Sequence, residues 1–274
     1  MTDELTTVRD HYRATGLTDR LKAALRTFGP ETQRLTPQQL GALDHFHTRG
    51  LAATAELARL AGITAEMSVL DVGSGVGGPA RLLAAMYGCQ VMGVDLSEPF
   101  VEAARYLTER TGQTAQVSFQ VGSALDLPLG DACFDLALVQ HVAMNIADRK
   151  RLYTEIWRVL KSGGRLATFD VVSNGSEPHY PLPWARTPVS SFLLTADQTR
   201  DAIESAGFRT LVWRDDTSLA KEWSSQLRAS GPPPSPNLGL VMGPDIAQLS
   251  ANLGRNYLEG RLGLLTAVFE ASSN

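Results

Sequence analysis

What the chain has little of bounds it first. Among 274 residues there are only two cysteines, Cys89 and Cys133, so no disulfide framework is expected. Both fall at expected strands or strand edges, where a free thiol serves as a small apolar side chain in a reducing cytoplasm. Basic charge is not in excess either: 25 Lys and Arg stand against 29 Asp and Glu, a formal charge of −4. Without a basic cluster to meet a phosphate backbone, nucleic-acid binding is excluded as a general role. No apolar run approaches the ~20 residues of a membrane span. The polar start, with Asp3, Glu4 and Asp10, lacks the apolar segment of a signal peptide. A soluble, cytoplasmic protein is therefore expected. No metal is expected, because the HxH pair His45 and His47 has no accompanying Cys/His partner set.

What is there is 43% hydrophobic sequence, enough for a full core. From Ser68 onward, apolar strands alternate with helical patterns. Strands are expected at 69–72, 90–95, 116–121, 134–140, 165–172, 208–215 and 261–271, and helices at 78–87, 98–111, 148–160 and 195–206. Strands separated by helices, and apolar nearly throughout, predict an α/β doubly wound sheet covered on both faces. Residues 161–164, Lys-Ser-Gly-Gly, are expected to stop the preceding helix with a left-handed glycine cap. Residues 1–50 read as a helical N-terminal cap broken at Gly16, Gly29-Pro30 and Thr36-Pro37, ahead of a main domain over 51–274. Two insertions interrupt the alternation. A proline- and aromatic-rich loop spans 173–192, and a helical segment spans about 217–259, with the spacer GPPPSPN at 231–237.

The densest signal is VLDVGSGVGGPARLLA, residues 69–84, a strand, a glycine turn and a helix start. Its Gly73-x-Gly75-x-x-Gly78 spacing fits nucleotide binding in general. Asp71, two residues before the first glycine, would repel a pyrophosphate and welcome an ammonium. Pro79 removes a helix-start N–H that a phosphate would use. Together they suit a nucleoside bearing an amino acid better than NAD. Asp95, ending the second strand, is placed to take both ribose hydroxyls, and Ser123, Ala124 and Leu125 stand where an adenine edge would lie.

LDVGSGVGG, followed by GVD, GSALDLP, FDLALVQH and RVLKSGGRL, resembles the class I S-adenosyl-L-methionine (SAM)-dependent methyltransferases over about residues 50–215. That resemblance implies a Rossmann-like seven-stranded sheet in the order 3-2-1-4-5-7-6, with the last strand antiparallel and reached after a helical insertion. It implies SAM as cofactor, with Asp71, Gly73, Ser74 and Gly75 at the methionine portion, Asp95 and Leu96 at the ribose, Ser123, Ala124 and Leu125 at the adenine, and Gln140 nearby. Many relatives carry an acid where Ser123 stands, which weakens an adenine amine contact here. VQHVAMNIADR and PLPWA resemble bacterial small-molecule members grouped with glycine, sarcosine and dimethylglycine N-methyltransferases, and more loosely quinone C-methyltransferases.

Methyl transfer is an in-line displacement for which alignment of the two reactants is the main requirement. His141, at the end of the fourth strand, is the candidate catalytic residue, either accepting a proton or orienting the acceptor; a purely structural role weighs equally. His45, His47, Asn145, Tyr180 and Trp184 are candidate acceptor-binding residues, the aromatics suiting a cationic amine or a flat ring. His179, Arg186, Asn252, Asn256 and Tyr257 are further residues that could reach the pocket. The preferred acceptor is an amine nitrogen of an amino-acid-like compound. The alternatives are C- or O-methylation of a natural-product, prenyl or quinone-like acceptor, SAM binding without transfer, and an NAD-dependent oxidoreductase. The partners expected are that small molecule and, as an option, a second copy in a homodimer.

Overall fold

Seven strands form one sheet in the order β3-β2-β1-β4-β5-β7-β6 in the computed structural model, which describes residues 15–230 and 236–272. In chain order, α1 (Leu17–Leu25), α2 (Pro37–Asp44) and α3 (Gly50–Ala61) precede the sheet. Then β1 (Ser68–Val72), α4 (Gly78–Tyr87), β2 (Gln90–Asp95), α5 (Glu98–Thr111) and β3 (Val117–Val121) build one half. The other half is β4 (Phe134–Gln140), α6 (Arg149–Val159), β5 (Leu160–Ser173), α7 (Ala196–Glu204) and β6 (Phe208–Asp215). Last come α8 (Thr217–Ser230), α9 (Gly239–Met242), α10 (Ile246–Leu258) and β7 (Leu262–Ala271). Strands β1 to β5 pair in parallel, and β7 runs antiparallel between β5 and β6. This is the order and polarity that the resemblance implied.

Strand periodicity decides which face each site residue serves. Val69, Leu136, Leu138, Ala167 and Phe169 pack on one side, under Leu57 and Ala58 of α3 and Leu83 of α4. Leu70, Val72, Ala137, Val139 and Leu166 pack on the other, under Tyr153 and Ile156 of α6. By the same alternation Asp71 and Gln140 belong to the α3–α4 side, and Asp170 to the α6 side. β1 lies between β2 and β4, where the connections leave in opposite directions, and such a switch point is where open α/β sheets bind ligands.

The helical segments before and after the sheet meet each other. Leu17, Leu21 and Leu25, at four-residue spacing on α1, are almost fully buried with Leu40 and Leu43 of α2, Phe100 and Leu107 of α5 and Val241 of α9. Each such side chain contributes about 1.5–3 kcal/mol by leaving water. Thr36 and Gln39 cap α2 reciprocally, as Thr36-Pro37 suggested.

Two local expectations are corrected. α6 ends without a glycine cap, since Leu160 is already extended (φ −80°, ψ 141°) and pairs with Phe134. Residues 161–164 instead form an excursion inside β5, whose pairing resumes at Leu136↔Arg165, and Gly163 (φ 71°) serves that turn. Cys133 is exposed at the turn before β4, whereas Cys89 is buried as expected. Of the spacer at 231–237, residues 231–235 lie outside the described residues, as do residues 1–14. No helix among the described residues is long and apolar enough to cross a membrane.

Candidate functional site

The carboxyl ends of β1, β2 and β4 open onto a cavity.

One half is built by the glycine turn. Gly73 (φ 71°) and Gly75 (φ 54°) are left-handed and line the cavity. A Cβ on Gly73 would stand 2.5 Å from Val142, so the turn is cut to the backbone by space as well as by conformation. Gly78 is different: its φ is ordinary, but a Cβ there would come 2.2 Å from the Asp44 carbonyl, so this glycine lets α2 close over the start of α4. Asp95 accepts the Gly75 N–H through Oδ2 and the Ser97 N–H through Oδ1, each at 2.8 Å. Each oxygen keeps a further lone pair for a ligand. Leu96, Ser123, Ala124 and Leu125 continue the wall, and Ser123 Oγ takes the Leu125 N–H at 3.1 Å.

Beneath this wall lie two buried polar atoms without partners, Asp71 Oδ2 and Ser74 Oγ. Asp71 is not on the wall; it sits behind the turn against the Ala80 N–H and Arg81. Burial, reinforced by Asp95, pushes its pKa up to about 7, and burial raises that of Asp95 too. An ammonium above the turn would be drawn by both carboxylates and would favour their charged forms.

The other half carries His141, Gln140, Asn145 and Trp184, all on the wall. His141 is left-handed (φ 52°), an uncommon conformation for a residue with a Cβ, costing of order 1–3 kcal/mol. Its ring stacks on Phe169 (5.4 Å, 17°), and burial holds it neutral by lowering its pKa to about 3. Asn145 Nδ2 donates to the Val142 carbonyl, the turn-forming role. Trp184 is buried, its Nε1 donating to Ser191 Oγ at 3.0 Å. Between them the wall is apolar: Phe46, Phe100, Val142, Met144, Ile146, Pro183, Met242 and Leu253. Sequence reasoning missed all of these, although Phe46 was signalled. In HFH, residues 45–47, an extended backbone sends alternate side chains to opposite sides, so placing Phe46 on the cavity turns both histidines away.

His45 and His47 are accordingly corrected: neither lines the cavity. His45 Nδ1 meets Asp44 Oδ1 at 2.7 Å, and Asp44 Oδ2 accepts from Arg81 at 2.8 Å, a fully buried network joining α2 to α4. His47 lies behind His141 (ring centroids 5.9 Å), with Nε2 3.0 Å from Thr54 Oγ1. Burial and then His45 and His141 lower its pKa well below 6.5. Tyr180 packs against the core and is not on the wall. His179 is tied to Glu259 at 2.7 Å and Arg186 to Asp245 at 3.0 Å. Asn252 and Asn256 hold the 173–192 loop by its backbone, at Pro181 and His179, and Tyr257 Oη meets Thr48 Oγ1. These residues fix the cover rather than line the cavity.

A protein-family model described as a methyltransferase domain matches residues 70–168. The chain is 30% identical over 203 residues to Methyltransferase GfsG of Streptomyces halstedii, covering 73% of this chain and 71% of that protein. It is 35% identical over 144 residues to O-methyltransferase cnsE of Penicillium expansum, covering 52% of each, so the match spans about half of that relative. Among solved structures, geranyl diphosphate C-methyltransferase of Streptomyces coelicolor A3(2), solved with S-adenosyl-L-homocysteine, superposes with a TM-score of 0.71 at 16% identity, over 97% of each chain.

Proposed function

The chain belongs to the SAM-dependent methyltransferases, and on that premise we propose that it methylates an oxygen or carbon of an apolar, natural-product-like small molecule. One observation carries this reading: beyond Asp95, the described residues lining the cavity include no charged side chain, His141 being held neutral, and apart from Gln140, His141 and Asn145 its second half is aliphatic and aromatic. An amino-acid-like amine, preferred on sequence alone, would bring a carboxylate that needs a cation. Arg186, the candidate for that role, is engaged by Asp245. The names of two relatives, O-methyltransferase cnsE and Sterol 24-C-methyltransferase of Eremothecium gossypii, support oxygen or carbon as the target.

The residues fit the cofactor. Asp71 Oδ2 and Ser74 Oγ, buried without partners, would satisfy the amino-acid portion, with Gly73 and Gly75 letting it approach the backbone. Asp95 would take the ribose hydroxyls, with Leu96 beside it, and Ser123, Ala124 and Leu125 would flank the adenine. SAM supplies an electrophilic methyl on a sulfonium. The chain contributes orientation, worth roughly 7–11 kcal/mol of a bimolecular barrier, and a dry wall that excludes competing water.

Labelled SAM, offered with alkylphenols, sesquiterpene alcohols and sterols on one side and glycine, sarcosine and dimethylglycine on the other, tests the reading by product mass. Label is expected in the apolar set. Label confined to the glycine series would reverse the assignment, and SAM binding with no labelled product from either set would mean binding without transfer.

A further inference from the structure

Residues 181–185, Pro-Leu-Pro-Trp-Ala, bring the largest apolar side chain of the cavity wall into place and hold it still. Leu182 and Ala185 exchange two backbone hydrogen bonds, Leu182 N–H to the Ala185 carbonyl at 2.8 Å and Ala185 N–H to the Leu182 carbonyl at 3.2 Å. That closes a two-residue turn with Pro183 and Trp184 at its tip. Both base residues are fully buried, and Asn252 Nδ2 of α10 donates to the Pro181 carbonyl just ahead of them at 2.9 Å. At the tip, Trp184 is 2% exposed and its Nε1–H donates to Ser191 Oγ at 3.0 Å. The indole has no other polar atom, so what it offers the cavity is apolar. Ser191 is steadied through its neighbour: Phe192 N–H donates to the Met144 carbonyl at 2.9 Å, and the Phe192 carbonyl accepts from Arg149 at 2.7 Å. Met144 and Met242, also on the wall, are unbranched and can repack around a ligand, whereas the latched indole cannot.

The loop also fixes which side of the cavity this wall occupies. It leaves β5 at Ser173 and returns to it, Ser173 N–H donating to the Leu194 carbonyl at 2.8 Å. Asp95 and Ser123, which fit the nucleoside, end β2 and follow β3. In the sheet order, β5 lies three strand spacings from β2, about 14 Å at about 4.8 Å each. Trp184 therefore reaches the cavity from the side remote from the nucleoside.

We propose that Trp184 is a specificity-determining residue: latched by Ser191, its indole is a fixed stop that limits how far an apolar acceptor extends from the transferred methyl. The inference rests on the proposed reading and narrows its substrate class to acceptors whose apolar body has a bounded length. Burying each further methylene of an acceptor strengthens binding roughly fourfold while there is wall to cover it. At a rigid stop the gain ends abruptly, because a well-packed wall takes in one more methylene only by straining side chains or backbone. A wall of adaptable side chains would instead let the gain fade gradually.

The test titrates para-alkylphenols of increasing chain length into the full chain saturated with S-adenosyl-L-homocysteine, read by calorimetry. That cofactor product does not react, so the result is independent of which acceptor atom is methylated. SAM affinity and thermal unfolding are measured alongside. Wild type should gain affinity roughly fourfold per methylene up to a sharp break and lose it beyond. Trp184→Phe, which shortens the stop, and Ser191→Ala, which unlatches it, should each keep SAM affinity within about twofold and move the break to longer chains. The first phenol past the wild-type break should then bind the variants about 10-fold more tightly than wild type. A side chain that only packs the loop would lower the unfolding temperature and weaken every phenol by one factor, leaving the break in place. That result in either variant overturns the proposal, as does a wild-type series that fades without a break, and both leave the broader reading intact because apolar acceptors still bind. Failure of every phenol to bind the wild-type complex overturns the reading and the proposal together.

Discussion

At Asp71 the fold withdraws a carboxylate from water and sets Asp95 nearby, and the pKa rises from 3.8 to about 7. A bound ammonium favours the ionised form, so SAM affinity should tighten as pH rises from 6 to 8, by up to about tenfold per unit below the pKa. Calorimetry across that range checks it, and Asp71→Asn should both weaken binding and flatten the dependence. A wild-type slope retained in the variant would remove Asp71 from the cofactor site. The sign for stability is opposite. A carboxyl whose folded pKa is raised contributes stability that is fully present below 3.8 and lost as pH rises through about 7, so without ligand the protein should lose stability over the window in which it gains affinity. Much of this was legible: an acid two residues before a glycine turn belongs at a strand end. What was not legible is depth. Spacing does not show that α4 presents Ala80 N–H and Arg81 to the same carboxylate, nor that His45 and His47 face inward while Phe46 lines the cavity, because those follow from how the N-terminal segment docks on residues far away in sequence.

The short segment after β4, residues 141–146, is the element that most shapes the acceptor half, and it is held from behind. Asp170 on β5 lies close to the backbone N–H groups of Val142 and Ala143 and accepts from Thr168 Oγ1 at 3.3 Å, and burial pushes its pKa up to about 7. Arg149 at the start of α6 donates to the Ile146 carbonyl at 2.9 Å and to the Phe192 carbonyl at 2.7 Å, joining this segment to the 173–192 loop. Phe192 N–H returns a bond to the Met144 carbonyl. Asp170→Ala would remove the buried carboxyl that faces these N–H groups and strand the Thr168 hydroxyl, at a cost of about 1–3 kcal/mol. It would also free the turn that keeps His141 left-handed. The expected result is a lower urea midpoint together with a fall in kcat larger than any rise in KM. A destabilised variant with unchanged kcat would mean that Asp170 supports the scaffold and does not position His141. The strands were readable because apolar runs punctuated by glycine fix where a sheet goes. The loop was not, because its anchors are a carboxylate and a guanidinium that look like ordinary polar residues until the sheet brings β5 beside β4.

Across the whole molecule, three segments distant in sequence close over one cavity: Phe46 before α3, Pro183 and Trp184 in the first insertion, and Met242 and Leu253 in the second. The first is fastened by the Asp44–Arg81 pair, both partners essentially without exposure. Removing one partner of such a pair typically costs about 3–5 kcal/mol, because the other charge remains buried. Arg81→Met should therefore lower unfolding free energy by that order, read by urea denaturation, and should weaken SAM binding by loosening Phe46 over Gly75. The fastenings also imply an order of events. Phe46 abuts the glycine turn, whereas Trp184 and Leu253 line the acceptor half. SAM alone should then slow amide hydrogen exchange at residues 45–50, 73–78 and 95–97. The segments 180–192 and 246–258 should gain protection only when an apolar acceptor is added to the SAM complex. Protection spreading to the two insertions with SAM alone would show that the cofactor, and not the acceptor, closes the cover, and the apolar wall would then have to be read as cofactor shielding instead of acceptor recognition.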